Sequence, residues 1–217
     1  MILRRIATAT AAAALATALI APAATAAPTN THHQKLGNRS LAAVLTAGGV
    51  GFDKNWNDYD ILTDAVLTVI AAKPDSPVTV LTDGKTPVTA FLPNDRAFQI
   101  LVKDLTGKWM GSEKAVFNAV AGLGVDTVEA VLLYHVIPGV TLTAKQAMAA
   151  NGAVLNTALA GATVKVRSFS RYVPIIELKD NDPNDVNPFV DPRALDINKG
   201  NKQIAHGLLF VLRPVDL

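Results

Sequence analysis

The stretch Thr89-Ala-Phe-Leu-Pro-Asn-Asp-Arg-Ala-Phe98 contains the change of structure around which this chain is organised. An apolar strand ends in Pro93. Asn94 and Asp95 then offer side-chain oxygens to the unpaired N–H groups of a first helical turn, and an apolar helical pattern follows over residues 97–102. The stretch therefore predicts a strand, a turn and a capped helix.

The second informative segment is Leu132-Leu-Tyr-His-Val-Ile-Pro-Gly139. It closes a predicted helix whose start, at Asp126 with Glu129, has the spacing of a capping box, and Pro138-Gly139 is predicted to end that helix. His135 lies on the apolar stripe of the helix. A histidine in such a position is more often a core residue hydrogen-bonded to the backbone than a catalyst.

These two segments resemble the first signature motif and the central Tyr-His motif of fasciclin domains, and they occur in the same order. A third match lies at His206 and Val211-Leu212, although Leu209 stands where the family usually has Asp. The resemblance runs from Leu41 to Leu212 and is to the secreted, single-domain kind found in bacteria.

The resemblance implies an α+β fold, a compact wedge in which several helices pack around a small bent β-sheet. It implies structural roles for the motif residues Thr89, Pro93, Asn94, Phe98 and His206. The Tyr-His motif of the family is implicated in adhesion through integrin-type receptors. The resemblance therefore also implies a partner surface near Tyr134 and His135, without naming an integrin as the partner.

The hydrophobic pattern independently indicates the same fold class. Helical patterns cluster in the first two thirds of the chain and strand-like runs in the last third, which favours α+β over a doubly wound sheet. Helix caps are predicted at Asp58 or Asp60, at Ser112, and at Thr143, which forms a capping box with Gln146. Strands are predicted at residues 78–81, 88–92, 163–167, 173–179 and 204–212.

The N-terminus has the pattern of a secretory signal peptide over residues 1–26. A basic start precedes an apolar run at 7–20, and Ala24-Thr25-Ala26 is a small-x-small cleavage site. Sec and twin-arginine export both remain open. Residues 27–40 are predicted to be a flexible tail and residues 41–217 a single domain, so we expect an extracellular protein.

Charge and cysteine content argue against several classes of protein. The chain has 20 basic and 18 acidic residues, and loss of Arg4 and Arg5 with the signal would leave the two kinds equal in number. Because no basic run with interleaved aromatics remains, we expect no nucleic-acid binding, and no membrane insertion after signal cleavage. Cysteine is absent, so neither disulfides nor a lipid-bearing cysteine can form.

The sequence also lacks the common catalytic motifs. It has no Gly-x-Ser-x-Gly, no His-Glu-x-x-His, no glycine-rich phosphate loop and no thiol. We therefore expect a protein without a catalytic site and without a cofactor.

An acidic loop in the last third is the one segment with the spacing of a metal site. Asp180, Asp182, Asn184 and Asp191 fall at positions 1, 3, 5 and 12 of a calcium loop, although Asp185 takes the place of the turn glycine. A solvated turn rich in Asx-Pro pairs is the other interpretation. The loop carries our second functional hypothesis, a calcium-dependent or small-ligand binding protein.

The leading hypothesis is a secreted, non-catalytic binding or adhesion module that presents a surface to an extracellular protein or a cell-wall polymer. An extracellular enzyme is the least favoured alternative, and the oligomeric state is left open. Trp56, Tyr59 and Trp109 lie in polar surroundings. They are either partner-facing aromatics or lids over the core, and the preference of large aromatics for burying one face favours lids.

Overall fold

The computed structural model describes residues 35–169 and 175–216, so the predicted signal peptide lies outside the described residues. Gly37 belongs to the folded unit. Its N–H donates to the carbonyl of Gly200 at 2.8 Å, and its carbonyl accepts from the N–H of Lys202 at 3.0 Å. The folded unit therefore includes the last residues of the segment that the sequence assigned to the tail.

Helices dominate the first two thirds of the described chain. The α-helices are α1 (Leu41–Leu45), α2 (Asp60–Ala72), α3 (Asp95–Thr106), α4 (Glu113–Ala121), α5 (Val125–Tyr134) and α6 (Ala144–Ala149). Two 3-10 helices, Thr46–Gly48 and Pro77–Thr82, complete the helical part.

The strands form two three-stranded sheets. They are β1 (Val88–Pro93), β2 (Val136–Pro138), β3 (Val154–Asn156), β4 (Thr163–Ser168), β5 (Ile176–Lys179) and β6 (Gln203–Leu208). The first sheet has the order β2-β1-β6, with β1 antiparallel to β2 and parallel to β6. The second sheet is the antiparallel series β3-β4-β5.

Strand β1 is buried on both faces and connects two hydrophobic cores. Val88, Ala90 and Leu92 pack into a core with helices α1 to α5, whereas Phe91 packs into a second core with Tyr134 and the second sheet. This division follows from the alternation of side chains along a strand. The first sheet thus lies between the helices and the second sheet, and the α+β class is confirmed.

Three of the predicted helix starts are confirmed. Asn94 accepts from the N–H of Ala97 and caps α3, and Ser112 caps α4 in the same way. Thr143 and Gln146 form the predicted capping box of α6. These caps depend on hydrogen bonds between residues three positions apart, which a sequence pattern captures well.

Two other predicted caps are wrong. Helix α2 begins after Tyr59, with no cap from the side chains of Asp58 or Asp60. Helix α5 begins after Gly124, so Asp126 already lies in its first turn, and the Asp126 carboxylate binds Lys73 at 2.7 Å. Tertiary partners have replaced the local bonds at both sites.

The predicted strand at residues 78–81 is a 3-10 helix. Ser76 accepts from the N–H of Val78, and Pro77 follows it with a backbone angle suited to a first helical turn. Val78 and Leu81, three residues apart, share one face of such a helix and are both buried. The two buried apolar residues are compatible with a strand or with a 3-10 helix, and the cap at Ser76 favours the helix.

Helix α5 ends at Tyr134, earlier than the predicted end at Pro138-Gly139. Residues 136–138 instead pair with β1 as strand β2. The predicted final strand at 204–212 likewise stops at Leu208, opposite the last residue of β1, Pro93. Strand β6 thus pairs along the whole of β1, whereas β2 pairs only with Val88, Thr89 and Ala90.

Within the described residues, no single helix is long and apolar enough to cross a membrane. Helices α4 and α5 reach the required length and composition only when taken together, and they are bent by 104° where they meet.

Candidate functional site

The turn after β1 holds the N-termini of two helices. The Asn94 side chain accepts from Ala97 at 2.9 Å and caps its own helix. The carboxylate of Asp95 caps α2 instead, accepting from the N–H of Ile61 at 2.9 Å and of Asp60 at 3.3 Å. Adjacent residues of one motif therefore join α3 to α2 across the helical core.

Asp95 belongs to a group of acidic side chains that we call the carboxylate cluster: Asp53, Asp58, Asp60, Asp95 and Glu113. Carboxylate oxygens of Asp58, Asp95 and Glu113 lie within 4.8 Å of one another, and those of Asp53, Asp58 and Asp60 do the same. Asp95 and Glu113 are fully buried, whereas Asp53 is exposed. The cluster therefore extends from the surface into the interior.

Compensating positive charge is missing from the carboxylate cluster, as far as the described residues show. None of its five members lies within 4.0 Å of a Lys, Arg or His nitrogen there. Burial raises the pKa of Asp95 to about 9, with a further rise from the neighbouring Asp58 carboxyl, and burial also raises the pKa of Glu113. Each shift reflects a carboxylate that is held away from water without a neighbouring cation.

An aromatic stack adjoins this cluster in sequence. The guanidinium carbon of Arg96 lies 5.1 Å from the ring centre of Trp56 and 5.8 Å from that of Trp109. Trp56 and Tyr59 are half-buried against the helical core, as the lid interpretation predicts, whereas Trp109 is 54% exposed. Trp109 is thus the member of the three that can reach a partner.

The Tyr-His pair lies inside the protein. Tyr134 is fully buried, and its hydroxyl donates to the carbonyl of Thr163 at 2.9 Å. His135, also buried, donates from Nδ1 to the carbonyl of Val131 at 2.7 Å and accepts at Nε2 from the N–H of Leu212 at 3.0 Å. These partners fix the neutral imidazole, and burial lowers its pKa to about 4.

The pair is therefore placed to support a surface and not to touch a partner. Tyr134 ties the end of α5 to β4, and His135 ties it to the C-terminal segment. Partner binding at this motif stays a prediction, and in this structure it would act through the segments that the two side chains hold.

Two other motif residues converge on the segment after β2. The hydroxyl of Thr89 donates to the carbonyl of Val140 at 2.9 Å and accepts from the N–H of Leu142 at 2.8 Å. His206, buried in β6, accepts from the N–H of Asp196 and donates from Nε2 to the carbonyl of Leu142 at 2.9 Å. Both residues hold backbone in place.

The acidic loop closes around Arg213. The Arg213 guanidinium pairs with Asp104 at 2.7 Å, with Asp185 at 3.0 Å and with Asp182 at 3.3 Å. Its backbone N–H donates to the carboxylate of Asp180 at 2.8 Å. One cation thus compensates carboxylates of the loop and of α3.

The four predicted calcium ligands have other partners in this structure. Asp180 and Asp182 bind Arg213, whereas Asp191 pairs with Arg193 at 2.8 Å. In the described part of the chain, no group of three carboxylate oxygens within 4.8 Å includes a residue of this loop. The side chain of Asn184, the fourth predicted ligand, lies 3.3 Å from Asp216 instead.

A groove of about 460 Å³ lies beside Arg213, and we call it the Arg213 groove. Its lining combines apolar, basic and acidic side chains from α3, the acidic loop and the C-terminal segment: Ile100, Lys103, Asp104, Asn184, Asp185, Val186, Phe210 and Arg213. Val186 is 55% exposed there.

The fasciclin domain family model matches residues 65–187, which is more than half of the chain. The chain belongs to the fasciclin domain family. Its structure is also similar to that of a FAS1 domain pair from the insect cell adhesion molecule fasciclin I, with a TM-score of 0.52 and 14% sequence identity. That likeness covers 80% of this chain and 50% of the other, so this chain spans half the length of the insect structure. Among curated proteins no match is found.

Fasciclin domains are typically extracellular, non-catalytic modules of adhesion and binding. In this fasciclin domain, sequence reasoning missed both the carboxylate cluster and the Arg213 groove. The density of Asp in residues 53–60 is the one signal that points to the cluster. Arg213 carries no local signal, because its partners come from α3 and from the acidic loop.

Proposed function

We propose that this fasciclin domain is an extracellular binding module of the adhesion type, exported by residues 1–26, which holds a peptide segment of a protein partner in the Arg213 groove. The observation that carries the proposal is the lining of that groove: exposed apolar surface flanked by fixed charges of both signs.

The apolar part of the groove suits partner side chains. Val186 is exposed, and Ile100 and Phe210 are half-buried, so all three keep apolar surface that a partner can cover. Exposed apolar surface in a concave, mixed-polarity site is typical of binding sites. A volume near 460 Å³ accommodates a few side chains rather than a whole folded surface.

The charged part of the groove suits a peptide backbone and its side chains. Lys103 is exposed on one side, and Arg213 is held by Asp104 and Asp185. Because these contacts immobilise the guanidinium before binding, little side-chain entropy remains to be lost. Phe210 is the one aromatic ring among the lining residues, which favours a peptide over a polysaccharide, since sugars stack on aromatic platforms.

The Tyr-His motif has a place in this proposal. His135 accepts from the N–H of Leu212, the residue before Arg213. The motif thus sets the position of the segment that carries Phe210 and Arg213, and we infer that it supports binding without contacting the partner.

The test is selection of displayed random peptides on the chain that begins at Ala27. Selected peptides should bind with a Kd that rises at least tenfold in Val186→Arg. Val154→Arg is the matched control, because Val154 is equally exposed (59%) but lies on β3, outside the groove. Failure to select any peptide, or equal binding by Val186→Arg, would overturn the proposal. If the protein instead sedimented with insoluble cell-wall polysaccharide, and Val186→Arg did not, the occupant of the groove would be a polymer and not a peptide.

A further inference from the structure

The carboxylate cluster is independent of the Arg213 groove and has an unsatisfied chemistry of its own. Asp60, Asp95 and Glu113 are the first residues of α2, α3 and α4, so three helix N-termini meet at this point. The positive ends of helix dipoles favour carboxylates, which explains in part why acidic side chains gather here.

Helix N-termini do not satisfy the whole cluster. Asp95 accepts from the N–H groups of Asp60 and Ile61, and Glu113 accepts through Oε2 from the N–H of Asp53 at 2.7 Å. The other oxygen of Glu113, Oε1, has no hydrogen-bond partner among the described residues.

Glu113 is fully buried, so water does not freely replace the missing partner of Oε1. The Oδ1 atom of Asp58 is in the same condition, buried and without a partner. Two orphan carboxylate oxygens thus belong to residues whose carboxylates, with that of Asp95, lie within 4.8 Å of one another. Negatively charged oxygens in this arrangement require a cation or a proton between them.

We propose that Asp58, Asp95 and Glu113 bind one divalent cation of the calcium type, with Asp53 and Asp60 as its outer carboxylates. Hard oxygen ligands exclude the metals that prefer sulfur or imidazole. Calcium accepts six to eight oxygens in flexible geometry, including bidentate carboxylates and water, whereas magnesium demands a near-octahedral set. A site assembled from residues 53–60 and the first residues of α3 and α4 suits the flexible coordination geometry of calcium better than the octahedral geometry of magnesium.

Access to this site runs along the cluster itself. Asp53 is exposed, Asp58 and Asp60 are half-buried, and Asp95 and Glu113 are at the inner end. An ion can therefore exchange one water at a time for carboxylate oxygens. Bound there, it would join the loop 53–60 to α3 and α4, and so stabilise the native state.

The tryptophans supply a local probe for the test. The chain has two, Trp56 and Trp109, and both stack on Arg96, the neighbour of Asp95. Terbium(III), which occupies calcium sites, is excited by energy transfer from nearby tryptophan. We expect chelator-treated protein to give tryptophan-sensitised terbium emission that added calcium removes, and calorimetry to show one calcium per chain.

Glu113→Gln keeps the shape of the side chain and should weaken calcium binding at least tenfold, with Asp58→Asn as a second variant at a less buried position. The matched control is Asp191→Asn, a carboxylate-to-amide change in the acidic loop, which should leave binding unchanged. No calcium heat, equal emission from Glu113→Gln, or loss of emission in Asp191→Asn would each overturn the proposal. Displacement of terbium by magnesium as readily as by calcium would overturn the assignment of the ion.

Discussion

The chain gathers carboxylates in two places, and the two differ in how their charge is compensated. In the acidic loop, Asp182 and Asp185 share the guanidinium of Arg213. In the carboxylate cluster, two buried oxygens of Asp58 and Glu113 face no cation among the described residues. Residues 180–191 and 53–64 each hold four acidic residues, and both regions contain buried atoms without a hydrogen-bond partner, yet in the described part of the chain only the acidic loop has a cation among its carboxylates. The spacing of acidic residues along a chain is therefore a poor indicator of a metal site, because it does not show which carboxylates have a cation beside them in the folded protein.

The largest expected effect is from Arg213→Met. It removes the partner of the buried Asp182 carboxylate, and breaking a buried pair from one side should lower the unfolding free energy by about 3 kcal/mol in urea titrations at neutral pH. Arg96→Met is the matched control near the cluster. Arg96 stacks on Trp56 and Trp109 and donates to the side chain of Gln99 instead of pairing with carboxylates, so its loss should cost less than that of Arg213, about 1 kcal/mol. Equal losses from the two variants would mean that the regions do not differ in this way.

Acid should weaken the loop region through His135. Folding lowers the pKa of His135 from 6.5 to about 4, so the unfolded state binds more protons in that interval and stability falls as pH decreases through it, by up to about 3 kcal/mol. Protonation of Nε2 also removes the acceptor of the Leu212 N–H, next to Arg213.

His135→Gln isolates this contribution in urea titrations at several pH values. Asp185 acts in the opposite direction, because burial raises its pKa to about 6 and the folded state then binds the additional proton. Because His135→Gln removes the contribution of the histidine and leaves that of Asp185, the free energy of unfolding should rise less steeply with pH between 4 and 6.5 in the variant. An unchanged slope would assign the acid response to other groups.

Matched amide substitutions should have opposite signs in the two regions. In the presence of chelator, Glu113→Gln should raise the unfolding free energy by about 1 kcal/mol, because it removes a buried negative charge that lies beside other carboxylates and has no cation near it. Asp182→Asn should lower it by about 1 to 3 kcal/mol, since Arg213 loses a charged partner. Both values are to be measured by urea unfolding. If the two substitutions changed the unfolding free energy in the same direction, the carboxylate cluster and the acidic loop would not differ in charge compensation.

The smallest effect is expected at the outer end of the acidic loop. Arg193→Ala removes the ion pair with Asp191, but Arg193 is 70% exposed there, so the pair is screened by solvent. The shift in the unfolding midpoint should be smaller than for any variant above and should vanish in high salt. A shift that persists in high salt would indicate that the loop is held more tightly at Asp191 than its exposure suggests.

Local features of the fold could be predicted from the sequence alone. The strand that ends at Pro93, the cap at Asn94 and the capping box of Thr143 with Gln146 all depend on neighbours within a few residues. His135 on an apolar stripe was also correctly expected to be buried and bonded to backbone. Such features follow from side-chain periodicity and short-range hydrogen bonds, which act whatever the rest of the chain does.

Charge compensation and the surfaces that remain open depend on contacts between segments that are distant in the sequence. Asp95 has the position of a local cap but bonds to Ile61, and Arg213 reaches carboxylates on α3 and in the acidic loop. Coulomb and hydrogen-bond energies depend on distances through space, and the order of residues in a chain does not contain those distances. For this fasciclin domain, the family and many of the local elements follow from the order of residues. The packing of α2, α3 and α4 against one another determined the carboxylate cluster.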